Sequence, residues 1–193
     1  MRKTGWIERY AIGCFMVTLV AAMVTVVNGQ GAYDRSKWRH WTDADRDCQD
    51  TRQEVLIAES VVPVTLDRRG CRVLAGEWHD PYTGRTFTDP RQLQIDHVVA
   101  LGWAYYHGGW MWDAKKKEAY ANDMTHPNHL IAVYGPSNQS KGRLGPDEWL
   151  PENAAFACEY WKIWLDEIER HDFMLTLREF SAVKEAVSKC SGP

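Results

Sequence analysis

The sequence predicts an α+β domain with a small antiparallel sheet, flanking helices and disulfide staples. Three features carry that expectation. Short β-branched runs are separated by Gly- and Asp-rich turn chemistry. The C-terminal third places apolar residues at helical spacing. Four of the five cysteines lie outside an apolar leader. At 193 residues and 45% hydrophobic content, the chain has the material for one core.

At the N-terminus, Arg2, Lys3 and Arg9 precede an uncharged run from Ala11 to Val27, with small residues at Asn28-Gly29. A positive start and an apolar middle predict that residues 1–29 are a signal peptide, cut near Gly29 or Gly31, or an N-terminal membrane anchor. Either way residues 30–193 are exported, and the four remaining cysteines meet an oxidising exterior. Without the leader the domain keeps 20 Lys+Arg against 25 Asp+Glu, a net charge of −5. An acidic domain gains little from counterion release, which argues against passive coating of a polyanion. It leaves room for an enzyme that meets one phosphate through a few basic residues and a cation.

Along the domain, residues 50–59 are good helix formers stopped by Pro63. Val61–Leu66 and Cys71–Leu74 flank Asp67-Arg68-Arg69-Gly70, the turn of a hairpin. Leu93–Ala100 alternates and then becomes continuously apolar, a strand entering a buried segment that Asp96 and His97 interrupt. Asp113 starts a helix over 113–122, with Lys115–Lys117 on a solvated face. Asn128–Tyr134 reads as a second strand, followed by a Gly135-Pro136 turn and a polar loop through Gly142. Phe156, Tyr160, Ile163, Trp164 and Ile168 follow helical spacing, and the capping box Thr176-x-x-Glu179 opens a last helix with Phe180, Val183, Val187 and Cys190 on one face. Trp103, Trp110, Trp112 and His107 offer stacking surfaces for bases, although core packing is the better expectation in a chain with ten tryptophans.

Cys48, Cys71, Cys158 and Cys190 can pair three ways. The pairing Cys48–Cys71 with Cys158–Cys190 is favoured, because each bridge staples one end of the domain and an antiparallel helix pair would bring Cys158 to Cys190. No Cys-x-x-Cys motif is present, so a cysteine zinc site is not expected.

Phosphodiester cleavage needs a base, a cation and something that orients the base. Asp96-His97 offers a ligand and a base side by side, but neighbours on a strand face opposite ways, so they act together only where the strand bends. Ile95-Asp96-His97-Val98-Val99, Pro127-Asn128-His129-Leu130 and Ser137-Asn138-Gln139-Ser140-Lys141-Gly142 together resemble the ββα-metal (His-Me finger) centre of HNH endonucleases. Cys48-Gln49-Asp50-Thr51-Arg52, Gly76-Glu77-Trp78, Tyr82-Thr83-Gly84, Ala121-Asn122-Asp123 and Glu148-Trp149-Leu150-Pro151 extend the likeness to a secreted bacterial branch related to the nuclease domain of modification-dependent restriction enzymes.

The resemblance implies hydrolysis of DNA, with RNA as an alternative substrate, and 5′-phosphate products; low sequence selectivity is expected because no DNA-reading module accompanies the centre. It makes His97 the general base, Asp96 and Asn138 ligands of one divalent ion, and Asn128 the residue that orders the loop or the His97 ring. Lys141 faces a phosphate. Asn138 stands where histidine is common, which favours Mg2+ or Mn2+ over Zn2+. Arg52, Arg85 and Arg143 are further candidates for phosphate contact, Arg52 alternatively pairing with Asp50 or Glu54. Two rival readings are an exported binding domain that has lost activity, and a zinc hydrolase using His97 with His126 or His129. Whether an immunity protein accompanies the domain is not written in the sequence.

Overall fold

The computed structural model describes residues 31–190, so the leader, with the choice between cleaved signal and anchor, lies outside them. From Ala32 onward the chain forms one compact unit. No helix among the described residues is long and apolar enough to cross a membrane.

Helix α1 (Thr51–Glu59) starts where the Asp50 carboxylate accepts the Gln53 N–H at 3.0 Å. Strands β1 (Thr65–Leu66) and β2 (Val73–Ala75) pair antiparallel around the expected turn. There Gly70 takes φ +76° and the Asp67 carboxylate accepts the Cys71 N–H. Strands β3 (Trp78–His79) and β4 (Thr86–Phe87) form a second ribbon, and β5 (Leu93–His97) with β6 (Leu130–Tyr134) a third. The expected single sheet is thus three separate two-stranded ribbons. Strands of two to five residues, broken by Pro and Gly, present too little edge to join laterally.

Between β5 and β6 lie helices α2 (Leu101–Tyr106) and α3 (Ala114–Ala121). Asp113 caps α3 through the Lys116 N–H, as expected, whereas α2 was hidden in an apolar run whose periodicity does not separate strand from buried helix. The polar loop expected after β6 is instead helix α4 (Gly135–Lys141), with Pro136 in its first turn and Gly142 at φ +54° after its end. Its own residues are weak helix formers, so tertiary contacts must hold it.

Helices α5 (Ala157–His171) and α6 (Leu177–Cys190) close the domain. The capping box is formed: Thr176 N–H donates to Glu179 at 2.7 Å, and the Thr176 hydroxyl accepts the Glu179 N–H at 3.3 Å. On α6 Ala186 is the buried residue, while Phe180, expected inward, is exposed.

Alternation along β5 and β6 divides the interior. Leu93, Ile95, Leu130 and Ala132 join Val55, Leu56 and Trp78 in one cluster. Ile131 and Val133 join Val98, Trp103, Tyr160 and Trp164 in the other. Trp103 packs edge-on against Trp164 with ring centroids 4.8 Å apart, so it is core and not a stacking platform; Trp110 remains exposed.

Both expected disulfides are present, Cys48–Cys71 and Cys158–Cys190. The second ties the start of α5 to the end of α6 across 32 residues. Replacing Cys158 and Cys190 together by serine is expected to cost about 2–4 kcal/mol, read as a lower urea midpoint. A shift below about 0.5 kcal/mol would show that packing alone holds the helix pair.

Candidate functional site

The site is assembled from a turn, a strand and a short helix. In the turn before β4, the buried Asp80 carboxylate accepts the N–H groups of Tyr82 and Thr83 and the Thr83 hydroxyl. That fixes Tyr82, whose hydroxyl donates to Asp96 Oδ2 at 2.6 Å. Burial first, and then the Asp96 charge, push the Tyr82 phenol well above its ordinary range, so it stays a donor.

Pairing of β5 with β6 is regular to its end, Asp96 opposite Ile131 and His97 opposite Leu130. The strand does not bend at Asp96-His97, and their side chains leave on opposite faces. On the Asp96 face, α4 crosses β5 so that its i, i+3 pair meets the strand's i, i+2 pair. Asn138 donates from Nδ2 to Gln94 Oε1 at 3.0 Å, and Lys141 Nζ donates to Asp96 Oδ1 at 2.7 Å and to the His97 carbonyl at 2.9 Å. These contacts hold the weak helix in place.

The structure therefore gathers Asp96, Asn138, Lys141 and His97 in one strand–strand–helix unit, but it reassigns Lys141. Its side chain is 0% exposed and faces Asp96, not solvent where a phosphate would arrive. Burial lowers the Lys141 pKa and the Asp96 charge opposes that drop. Asp96 and Asn138 offer a carboxylate and an amide oxygen, donors suited to a hard divalent ion. As arranged they do not accept one, because both Asp96 oxygens already take donors and the Lys141 ammonium occupies the cation's place.

On the other face the His97 ring is 4% exposed, stacked on Trp41 with centroids 5.6 Å apart. Its Nε2 lies 2.9 Å from the Ala121 carbonyl. A carbonyl only accepts, so Nε2 carries the proton. Burial, reinforced by His129 and Lys141, drives the ring's pKa well below its ordinary value and keeps it neutral, which leaves Nδ1 with a free electron pair.

Orientation of His97 thus comes from Ala121, not from Asn128. Asn122 next door is satisfied four ways, accepting from Thr42 N and Thr51 Oγ1 and donating to the Arg39 and Glu118 carbonyls. It pins the entry segment that carries Trp41. Asn128 is exposed at φ +64°, a conformation asparagine tolerates, and lines a separate pocket with Glu59 and His126.

Arg52 pairs with neither Asp50 nor Glu54; its guanidinium donates to the Pro90 and Leu93 carbonyls and positions β5. Arg85 is exposed over the Tyr134 ring at 4.6 Å, and Arg143 is exposed over Tyr106 at 5.2 Å. His129 is fully buried with both nitrogens engaged, Nδ1 on Glu167 and Nε2 on the Tyr120 carbonyl, which removes it as a ready ligand. Tyr82, Trp41, Ala121 and Glu167 escaped sequence reasoning. Tyr82 and Ala121 lie inside the motifs that carry the resemblance, yet nothing local shows which atoms they address.

Glu59, at the end of α1, accepts the Ala132 N–H at 2.7 Å in the middle of β6. Burial raises its carboxyl to about 7, the Ala132 N–H opposing the rise. With the folded pKa above the unfolded one, the folded chain holds the extra proton between pH 4.5 and about 7, and stability falls as pH rises through that window. Glu59→Gln is expected to be near neutral at about pH 4 and stabilising by about 2 kcal/mol at about pH 8. Urea midpoints at the two pH values check this, and equal effects at both would remove the assignment.

No protein-family model matches the chain, and no solved structure matches it. An uncharacterized secreted protein of Arthroderma benhamiae is 34% identical over 161 residues, spanning 83% of this chain and 77% of that one. With that identity carried through most of both chains, the protein belongs to the same family as this fungal secreted protein.

Proposed function

We propose that this chain is an exported endonuclease of the HNH type, hydrolysing phosphodiester bonds of DNA with low sequence selectivity. The observation that carries the reading is His97. A neutral imidazole is anchored through Nε2–H on the Ala121 carbonyl, with Nδ1 left as a base, at the end of the first strand of a β5–β6–α4 unit that also carries Asp96, Asn138 and Lys141. His97 Nδ1 takes the proton of the attacking water as the new O–P bond forms, and the bond from phosphorus to the 3′-oxygen breaks, the 3′-oxygen leaving with the electron pair and taking a proton from solvent, which gives a 5′-phosphate and a 3′-hydroxyl. Exposed Arg85 and Arg143 supply cationic contacts for the phosphate backbone. Trp41 has to lift from His97 for substrate to reach it. Export is supported by two disulfides and by a relative described as secreted.

The buried Lys141–Asp96 pair and the Trp41 cover favour a second reading, an exported binding domain on the same scaffold without activity. Incubating the oxidised chain, purified from a secreting host, with plasmid, single-stranded DNA and RNA separates the two. Arms with Mg2+, Mn2+, Zn2+ and EDTA test the metal dependence that the resemblance implies, which requires Lys141 to leave Asp96 and the strand to bend, because Asp96 and His97 face opposite ways. Divalent-dependent nicking supports the nuclease. Absence of cleavage in every arm, by a chain with an intact thermal transition, supports the binding domain.

A further inference from the structure

We infer that His126, Asp166 and Glu167 form a binding site for one divalent transition-metal ion of the zinc class, separate from the β5–β6–α4 unit and independent of the nuclease reading. His126 lies in the segment between α3 and β6, and Asp166 and Glu167 are consecutive on α5. Successive helix residues point about 100° apart and do not ordinarily share a partner. Here both reach the one imidazole: His126 Nε2 lies 2.6 Å from Asp166 Oδ2, and His126 Nδ1 lies 3.3 Å from Glu167 Oε1. One ligand atom from each residue falls within 4.8 Å of the other two.

These are close contacts without hydrogen-bond alignment. His126 Nδ1 and Asp166 Oδ2 are shut off from solvent and make no hydrogen bond, and His171 Nε2, 3.4 Å from Glu167 Oε2, is in the same condition. Unsatisfied buried polar atoms are costly; His126 Nδ1 and His171 Nε2 face Glu167 while Asp166 Oδ2 faces His126 Nε2, and the cluster calls for a shared partner. A cation held by one His126 nitrogen and by one oxygen of each carboxylate gives Asp166 Oδ2 the partner it lacks. Ligand atoms of a tetrahedral zinc stand roughly 3.3 Å apart, so the ion needs the His126–Asp166 contact to open by only about 0.7 Å.

The donor set is selective. An imidazole nitrogen with two carboxylates suits zinc, cobalt or manganese over calcium and magnesium. Glu167 Oε1 accepts from Arg170 and Oε2 from His129, so the ion takes a remaining lone pair and the Arg170 guanidinium must yield beside it, as Lys141 would have to at Asp96. A pocket of about 130 Å3, lined by Glu59, Asp123, Asn128 and His126 among others, opens beside His126 and supplies water for the remaining coordination positions. Bound there, the ion would clamp the segment entering β6 onto α5.

Equilibrium dialysis of the oxidised chain against ZnCl2 with elemental analysis, together with the visible absorption of Co2+ added to the same protein, tests the site. One zinc per chain and a tetrahedral or five-coordinate Co2+ band are expected. His126→Ala and Asp166→Asn each weaken binding at least tenfold, whereas His79→Ala, which removes an exposed histidine elsewhere, and Asn138→Ala leave it unchanged. Asp166 is half-exposed, so its asparagine variant folds even where the histidine variant does not. Failure to bind zinc, or equal affinity in the wild type and Asp166→Asn, would overturn the site. Loss of zinc in Asn138→Ala with retention in Asp166→Asn would place the ion on the β5–β6–α4 unit instead.

Discussion

Replacing His97 by alanine is expected to lower DNA cleavage by about 10²–10⁴-fold, the usual contribution of a positioned general base. The substitution removes Nδ1 and with it the acceptor for the water proton, while the strand pairing that carries residue 97 is made by backbone groups and survives. Added imidazole should restore part of the rate by filling the space between Trp41 and Ala121 that the ring leaves. The measurement is the initial rate of plasmid nicking with and without imidazole, beside a thermal melt. An unchanged rate would remove His97 as the base and with it the proposed chemistry.

The second large effect is on stability. Lys141→Met is expected to destabilise the domain by about 3–5 kcal/mol, because it leaves the Asp96 charge buried with only the Tyr82 hydroxyl as donor. Lys141 also closes onto the His97 carbonyl, so the docking of α4 loosens together with the ion pair. Adding Asp96→Asn to Lys141→Met should recover part of the loss, since the double variant no longer buries an unpaired charge. Urea denaturation of the three variants forms the cycle. A loss below about 1 kcal/mol for Lys141→Met would show that Asp96 reaches water or another cation and that the pair does not hold the helix.

The elements that could be read from the chain are those whose signals are local. Asp50 and Asp113 cap the helices they precede, Thr176 and Glu179 form their box, and Gly70 turns the first hairpin. The cysteine pairing followed from where the elements had to lie. The misread stretches are those where local preference loses to tertiary contact. Residues 135–141 read as a polar loop and form a helix because Lys141 and Asn138 dock on Asp96 and Gln94. The buried segment expected after the strand stopped at Ala100, and the helix over Leu101–Tyr106, with four of its six residues buried, is too short and too apolar to carry a helical period.

By itself, then, the sequence determined the periodic and punctuated parts of this protein: the mixed α and β content, the caps, the turns, the disulfide pairs and the candidate site residues. Spacing along a chain does not specify which side-chain atoms meet, because that depends on how separate elements pack. Tertiary structure alone decided that Lys141 neutralises Asp96, that the Ala121 carbonyl and not Asn128 orients His97, and that Trp41 covers it. It alone brought His126, from the segment before β6, against Asp166 and Glu167 on a helix some forty residues later.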